Sequence, residues 1–230
     1  LSLMGPKARD ILSRHSPDDL TSAGFPFGTA RWITVANCPV LALRVTYVGE
    51  LGWELHMPTE VAVTVYEALM SGQDAPVLAG YRAIETLRLE KGYRAWGSDI
   101  GPDHTPIEAG LAWAVKMKSG IDFIGREAIA AQITTGVKKR LATFTATPEV
   151  VLLGRETIYR NGERVGWLSS GGYGHTVKKS IGMGYVRHPG GVTQDFILSG
   201  TYELEVASER VPAQVTLAPL HDPGNMRVRM

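Results

Sequence analysis

Glu54 and His56 are the residues of this 230-residue chain whose placement first suggests chemistry. They follow Gly49-Glu50-Leu51-Gly52, where two glycines bracket a tight turn. Strand alternation beyond that turn puts Trp53, Leu55 and Met57 on one face and Glu54 and His56 on the other. A carboxylate fixed on the polar face of a strand can accept two parallel N–H donors at once, as it does from a guanidinium, and a pterin or guanine presents such an edge. The same alternation also describes an ordinary strand with one wet face. In that reading Glu54 and His56 simply meet solvent, and Tyr47 continues the apolar face of Leu41, Leu43 and Val45.

Most other reactive groups have structural explanations. Cys38 lies in Asn37-Cys38-Pro39, read as a hairpin turn, with no histidine near it in sequence, and a loop thiol of this kind is given no role. Asp103-His104-Thr105-Pro106-Ile107-Glu108 offers acids and an imidazole. However, Thr105 at N-cap, Pro106 at N1 and Glu108 at N3 compose a capping box, which uses both polar side chains to satisfy helix amides. No two histidines stand at helical metal-ligand spacing, so no metal is expected. Gly171-Gly172-Tyr173-Gly174-His175 falls between predicted strands and not at a strand-to-helix turn, which argues against a dinucleotide fingerprint. Arg82 opens a predicted helix with Glu85 and Thr86 one turn on. It reads either as a surface ion-pair partner or as a fork for a carboxylate.

Composition narrows the classes. With 44% hydrophobic and 20% charged residues the chain can bury one or two cores, and a net charge of +1 draws in no nucleic acid. A single cysteine excludes an internal disulfide framework and any cysteine zinc site, and fits a reducing compartment. No apolar run reaches membrane-spanning length and no signal peptide opens the chain, so no membrane partner and a cytoplasmic or mitochondrial-matrix location are expected.

The elements that must position Glu54 follow from pattern. A short helix at residues 7–14 buries Ala8, Ile11 and Leu12. Strands are expected at residues 31–36 and 40–47. A helix capped by Thr59 runs to Ser71 with Val61, Val65, Ala68 and Leu69 inside, and another spans residues 81–91 with Ala83, Ile84 and Leu87 inside. Leu111 to Met117 alternates like a strand, with Trp113 in the core, and residues 124–133 form the last clear helix. After Thr134-Thr135-Gly136 the pattern changes to short strands at residues 140–147, 156–160, 163–169, 181–186 and 202–206. Asn161-Gly162 there gives the strongest hairpin signal. The expected fold class is α+β: a domain over residues 1–133 followed by an all-β barrel over residues 137–230.

The stretch Arg44 to Glu54 resembles the R-x-x-Y-x-G-E-x-G-[aromatic]-E signature of the glycine-cleavage T-protein (aminomethyltransferase) family. Its Gly-Glu-Leu-Gly-Trp-Glu-Leu variant is closest to the folate-binding half of dimethylglycine and sarcosine dehydrogenases. Residues 81–92, Trp96-Gly97-Ser98-Asp99-Ile100, residues 105–111, Phe123-Ile124-Gly125-Arg126-Glu127-Ala128 and Ser169-Ser170-Gly171-Gly172-Tyr173-Gly174 resemble further motifs of that family, in family order.

This resemblance implies an incomplete folate-binding domain, a C-terminal barrel, and tetrahydrofolate as cofactor in a one-carbon transfer that yields 5,10-methylenetetrahydrofolate. It implies Tyr47, Glu54, Leu55, His56, Arg82 and Trp113 as the cofactor-binding set, with Arg82 on the glutamate tail and the Trp113 ring against the pterin or aminobenzoyl group. It places the family's catalytic aspartate upstream of Met4-Gly5-Pro6, so no catalytic residue is expected within this sequence, which reads as a C-terminal piece of a longer chain. Implied partners are an amine-derived one-carbon donor and a lipoyl carrier protein or a flavin domain, the last with FAD lying upstream. A non-catalytic folate-binding scaffold and a purely structural piece of a sarcosine-oxidising enzyme remain as alternatives.

Overall fold

The computed structural model describes residues 1–230. By packing, the chain forms two compact units, one of Leu1–Lys91 with His221–Met230 and one of Gly92–Leu220. The composition changes at residues 134–136, whereas the packing changes at Gly92, so residues 92–135 pack with the barrel that follows them.

The first unit is built on an antiparallel sheet of β1 (Ser2–Met4), β2 (Ala30–Val35), β3 (Cys38–Leu43) and β4 (Gly52–His56), in the order β1-β4-β3-β2. Its inner face carries Leu3, Ile33, Val35, Val40, Ala42, Trp53 and Leu55. These pack with Phe25, with α1 (Ala8–Ser13) and with α2 (Thr59–Leu69). As the alternation required, α1 buries Ala8, Ile11 and Leu12. The β2–β3 hairpin turns at Ala36 and Asn37, both at positive φ (50° and 63°), the backbone shape that matches strand twist. Cys38 and Pro39 therefore lie inside β3, not in the turn.

Two boundaries differ from expectation. Strand β3 stops at Leu43, because Arg44 turns inward and is buried, donating to the Phe25 and Met230 carbonyls and to Ser22 Oγ at 3.3 Å. Residues 44–48 are thus irregular, and Tyr47 does not extend the Leu41–Leu43 face. Helix α2 takes its N-cap from Pro58 without a side-chain cap. Thr59 is the first helical residue and not the cap. Helix α3 (Tyr81–Lys91) buries Arg88, Leu89, Glu90 and Lys91 at its C-terminal end, while Ile84 and Leu87 are half-buried and Ala83 is exposed.

In the second unit six strands close into a barrel: β5 (Lys139–Ala146), β6 (Thr157–Arg160), β7 (Glu163–Gly174), β8 (Lys179–Arg187), β9 (Tyr202–Val206) and β10 (Glu209–Thr216), in the order β10-β5-β8-β7-β6-β9. The β6–β7 turn is Asn161-Gly162, at φ 52° and 84°. The glycine run 171–174 lies within β7 and not between strands. A Cβ on Gly171 would stand 2.6 Å from the Leu152 carbonyl carbon, and one on Gly184 2.5 Å from the Trp167 carbonyl oxygen, so bare backbone is what lets these segments approach. Helix α4 (Arg126–Thr135) opens at Gly125 in the left-handed region and buries no side chain. A short α5 (Gln194–Leu198) is capped by Thr193, whose Oγ1 accepts from Phe196 N at 3.0 Å.

Leu111 to Met117 is not a strand. Leu111 N bonds back to Pro106 O at 2.7 Å, a 3-10 turn occupies Ala112–Ala114, and Trp113 is 80% exposed and outside the core. A closed barrel leaves no free edge to pair with this stretch, so its alternation finds no partner.

Candidate functional site

Glu54 occupies the middle of β4, paired with Ser2 of β1 on one side and Leu43 of β3 on the other. Its side chain is 36% exposed and that of His56 is 55% exposed. Glu54 Oε2 lies 3.4 Å from His56 Nε2, so the carboxylate and imidazole share the outer face of the sheet as the alternation required. Leu55 is 1% exposed and points the opposite way into the core, where it holds the strand and does not face the Glu54 side. Both of its main-chain polar groups meet Leu1, whose carbonyl accepts from Leu55 N at 2.7 Å while its amino group donates to Leu55 O at 2.8 Å.

A cavity of about 350 Å³ opens at the β1 edge of the sheet, with Leu3 and Leu69 of the core among its walls and neither Glu54 nor His56. Ser2, the partner of Glu54, lines it, as do Met4, Tyr66 and the Ile84 and Leu87 side chains of α3. The first turn of that helix carries Arg82, which is exposed, and the ion pair of α3 runs from Arg88 to Glu85 instead. Tyr47 is half-buried in the irregular segment between β3 and the turn. The sheet thus brings together Glu54 and His56, α3 places Arg82 on an element bordering the adjoining cavity, and Trp113 stands exposed in the second unit.

The turn ahead of Glu54 is held from the far end of the chain. Glu50 Oε1 lies 3.0 Å from Arg227 Nη1 and 3.3 Å from His221 Nε2. Lys91, fully buried, donates to the main chain of Asp222 and reaches its Oδ2 at 3.0 Å. Burial opposes ionisation of Asp222, but the Lys91 ammonium and the amides of Met226 and Arg227 hold its carboxyl below the usual range. Burial likewise lowers Arg44 from its ordinary value, with Arg9 adding repulsion.

In the second unit Asp99 is fully buried. It accepts from Ala95 N at 3.0 Å, from Ser170 Oγ at 2.8 Å and from Ser169 Oγ, while its carbonyl accepts from Tyr185 Oη at 3.0 Å. The Trp96–Ile100 and Ser169–Gly174 motifs are therefore two halves of one contact, with Asp99 as its centre. Sequence reasoning named both motifs but no partner for Asp99, because nothing local links residues 70 positions apart. Burial pushes the Tyr185 phenol above its ordinary value, with Glu108 and Asp99 adding to it. His104 stacks on Tyr185 at 4.5 Å, and burial holds its imidazole below the ordinary value, helped by Lys139. Among all residues no group of three or more His, Cys, Asp or Glu side chains is placed to hold a metal.

Residues 1–119 match the GCVT N-terminal domain and residues 139–222 match the glycine cleavage T-protein C-terminal barrel domain. The chain belongs to the glycine cleavage T-protein family. It is 45% identical to mouse mitochondrial sarcosine dehydrogenase over its whole length, covering 25% of that protein. It is 38% identical to human mitochondrial dimethylglycine dehydrogenase over 96% of its length, again covering 25% of the relative, so the chain spans about a quarter of each dehydrogenase. The crystal structure of glycine cleavage system aminomethyltransferase T from Bartonella henselae shares its fold, with a TM-score of 0.71 at 21% identity over 96% of this chain and 83% of that one. Within this T-protein family frame, the signature arginine Arg44 ties the core to the chain's last residues, and the signature carboxylates Glu50 and Glu54 have separate environments. No helix is long and apolar enough to cross a membrane.

Proposed function

We propose that this T-protein family member is the tetrahydrofolate-binding part of a larger amine-oxidising enzyme of the sarcosine or dimethylglycine dehydrogenase kind. When bound, tetrahydrofolate supplies the amine that accepts a one-carbon unit from an iminium or aminomethyl donor, with 5,10-methylenetetrahydrofolate as product. The observation that carries the reading is Glu54, a partly exposed carboxylate on a central strand, with the His56 imidazole at 3.4 Å and no Lys or Arg ion pair. Such a carboxylate has acceptor capacity left for the paired N–H donors of a pterin. His56 lies beside it, Leu55 fixes the strand from the core side, and Arg82 offers a guanidinium fork for the tail carboxylate, while Tyr47 and Trp113 enter the set by family resemblance.

These residues bind and orient, and orientation is much of what such a transfer needs. The proton relay is assigned by family resemblance to an aspartate preceding Met4. We keep residues 1–133 and 137–230 as the functional division, supported by family matches over 1–119 and 139–222. An upstream flavin domain, or a lipoyl carrier, is the partner that would present the donor, in the mitochondrial matrix or the cytoplasm.

The test is Glu54→Gln, which keeps size but turns one acceptor into a donor facing a donor. Loss of a charge-assisted bond of roughly 1.5–3 kcal/mol should weaken binding of a tetrahydrofolate analogue about tenfold or more in calorimetric titration. Unchanged affinity would remove Glu54 from the site.

A further inference from the structure

We propose that the barrel unit carries a second site, for a small molecule bearing two or more adjacent negative charges. It lies on the outer surface of β5, β7 and β8, in a broad, open depression of about 570 Å³. Its walls hold four permanent cations, Lys138, Lys139, Arg164 and Arg187, against one carboxylate, Glu108. None of them belongs to the folate-binding set, and the proposal does not depend on that reading.

The arrangement is costly for the fold alone. Lys139 and Arg187 are direct cross-strand partners in the β5–β8 ladder, and like charges placed opposite each other destabilise a sheet. Glu108 pairs directly with one of them, Lys139, at 3.6 Å and attracts Arg187 only from beyond ion-pair distance, while Lys139 also donates to the Asp103 carbonyl at 2.7 Å. Arg187 is half-buried, spread over the Trp167 ring at 4.0 Å, and donates one bond, to the Tyr185 carbonyl at 3.2 Å. Stacking and that single bond leave most of its N–H donors without an acceptor. Lys138 and Arg164, both exposed, have no side-chain hydrogen bond and no ion pair, and both residues line the same concavity. A dianion in the pocket would take the unused donors of Arg164 and Arg187 and relieve the Lys139–Arg187 repulsion.

Phosphate esters and polycarboxylates share this chemistry, and two probes separate them. Pyrophosphate and citrate are each titrated calorimetrically into the protein, its Lys138→Ala/Arg164→Ala variant and a charge-matched Lys116→Ala/Lys118→Ala control, whose lysines are exposed outside the pocket. Because Lys138 and Arg164 support no other group, the pocket variant should keep its denaturation midpoint. The expected result is saturable one-to-one binding of at least one probe, weakened about tenfold or more by the pocket variant and less than about twofold by the control. Pyrophosphate alone would identify a phosphate site, and citrate alone a carboxylate site. Absence of saturable binding of both at about 10 mM, or equal weakening in the two variants, would overturn the proposal.

Discussion

Glu50 and Glu54 belong to the same family signature, and their surroundings give them different work. Glu50 is 18% exposed between His221 and Arg227, whereas Glu54 faces outward beside His56. Glu50→Gln should therefore lower stability by about 1 kcal/mol, the pair being partly exposed, while Glu54→Gln should leave the denaturation midpoint in place and act on ligand affinity. The reverse pattern would exchange their roles. Trp113 allows an equally clean separation: at 80% exposure, Trp113→Ala should change stability by less than about 0.5 kcal/mol, so any loss of folate-analogue affinity reports on the ligand directly. Thr105 and Glu108 do form the reciprocal bonds of a capping box, Thr105 N to Glu108 Oε2 at 2.9 Å and Glu108 N to Thr105 Oγ1 at 3.3 Å. They close a single turn and not a helix, so Thr105→Ala should cost about 0.5 kcal/mol in a denaturant titration, at the low end for caps.

At the scale of elements, glycine positions make a graded test. Gly162 needs only its positive φ and has open space around it, so Gly162→Ala should cost about 1 kcal/mol of backbone strain. Gly171→Ala drives a methyl against the Leu152 backbone and should cost clearly more, or displace residues 150–154 from β7. Equal thermal shifts for the two would show that the close approach is not needed.

What sequence could show of these elements depended on how local the cause was. Alternation and Asn161-Gly162 made β6 and β7 legible, and the inner face of β4 followed from Trp53, Leu55 and Met57. Strand β10 was missed because its hairpin turns on Ala207 and Ser208, forced to φ 50° and 69° by the pairing itself, and because Pro212 interrupts its pattern. Residues 111–117 alternate convincingly, yet no strand edge is available to them. The outward placement of Glu54 and His56 needed only a period of two, while the Asp99 contact with Ser169 and Ser170 needed the three-dimensional fold.

For the whole molecule, the Lys91–Asp222 pair is one buried contributor to the response to acid. Asp222 has its carboxyl lowered in the folded chain, so its contribution is complete above the unfolded aspartate value of about 4 and is lost as pH falls through the lowered folded value. Stability should thus fall below about pH 4, and Asp222→Asn should be less stable at neutral pH by about 3 kcal/mol, because a buried ammonium loses its counter-charge, while losing part of that acid dependence. Denaturation midpoints measured from pH 3 to pH 7 for both proteins would check this; parallel curves would exclude the pair as an acid-sensitive element.

The return of residues 221–230 to the first unit also has a consequence for synthesis. The polypeptide emerges from its N-terminus, so Glu50 and Lys91 leave the ribosome long before His221, Asp222 and Arg227 exist to meet them. In sequence the barrel unit falls between the two segments of the first unit, and it can close while the first unit is still incomplete. A chain broken off after Leu220 would keep all six barrel strands, and its damage would appear at the opposite end, in the unit that was made first.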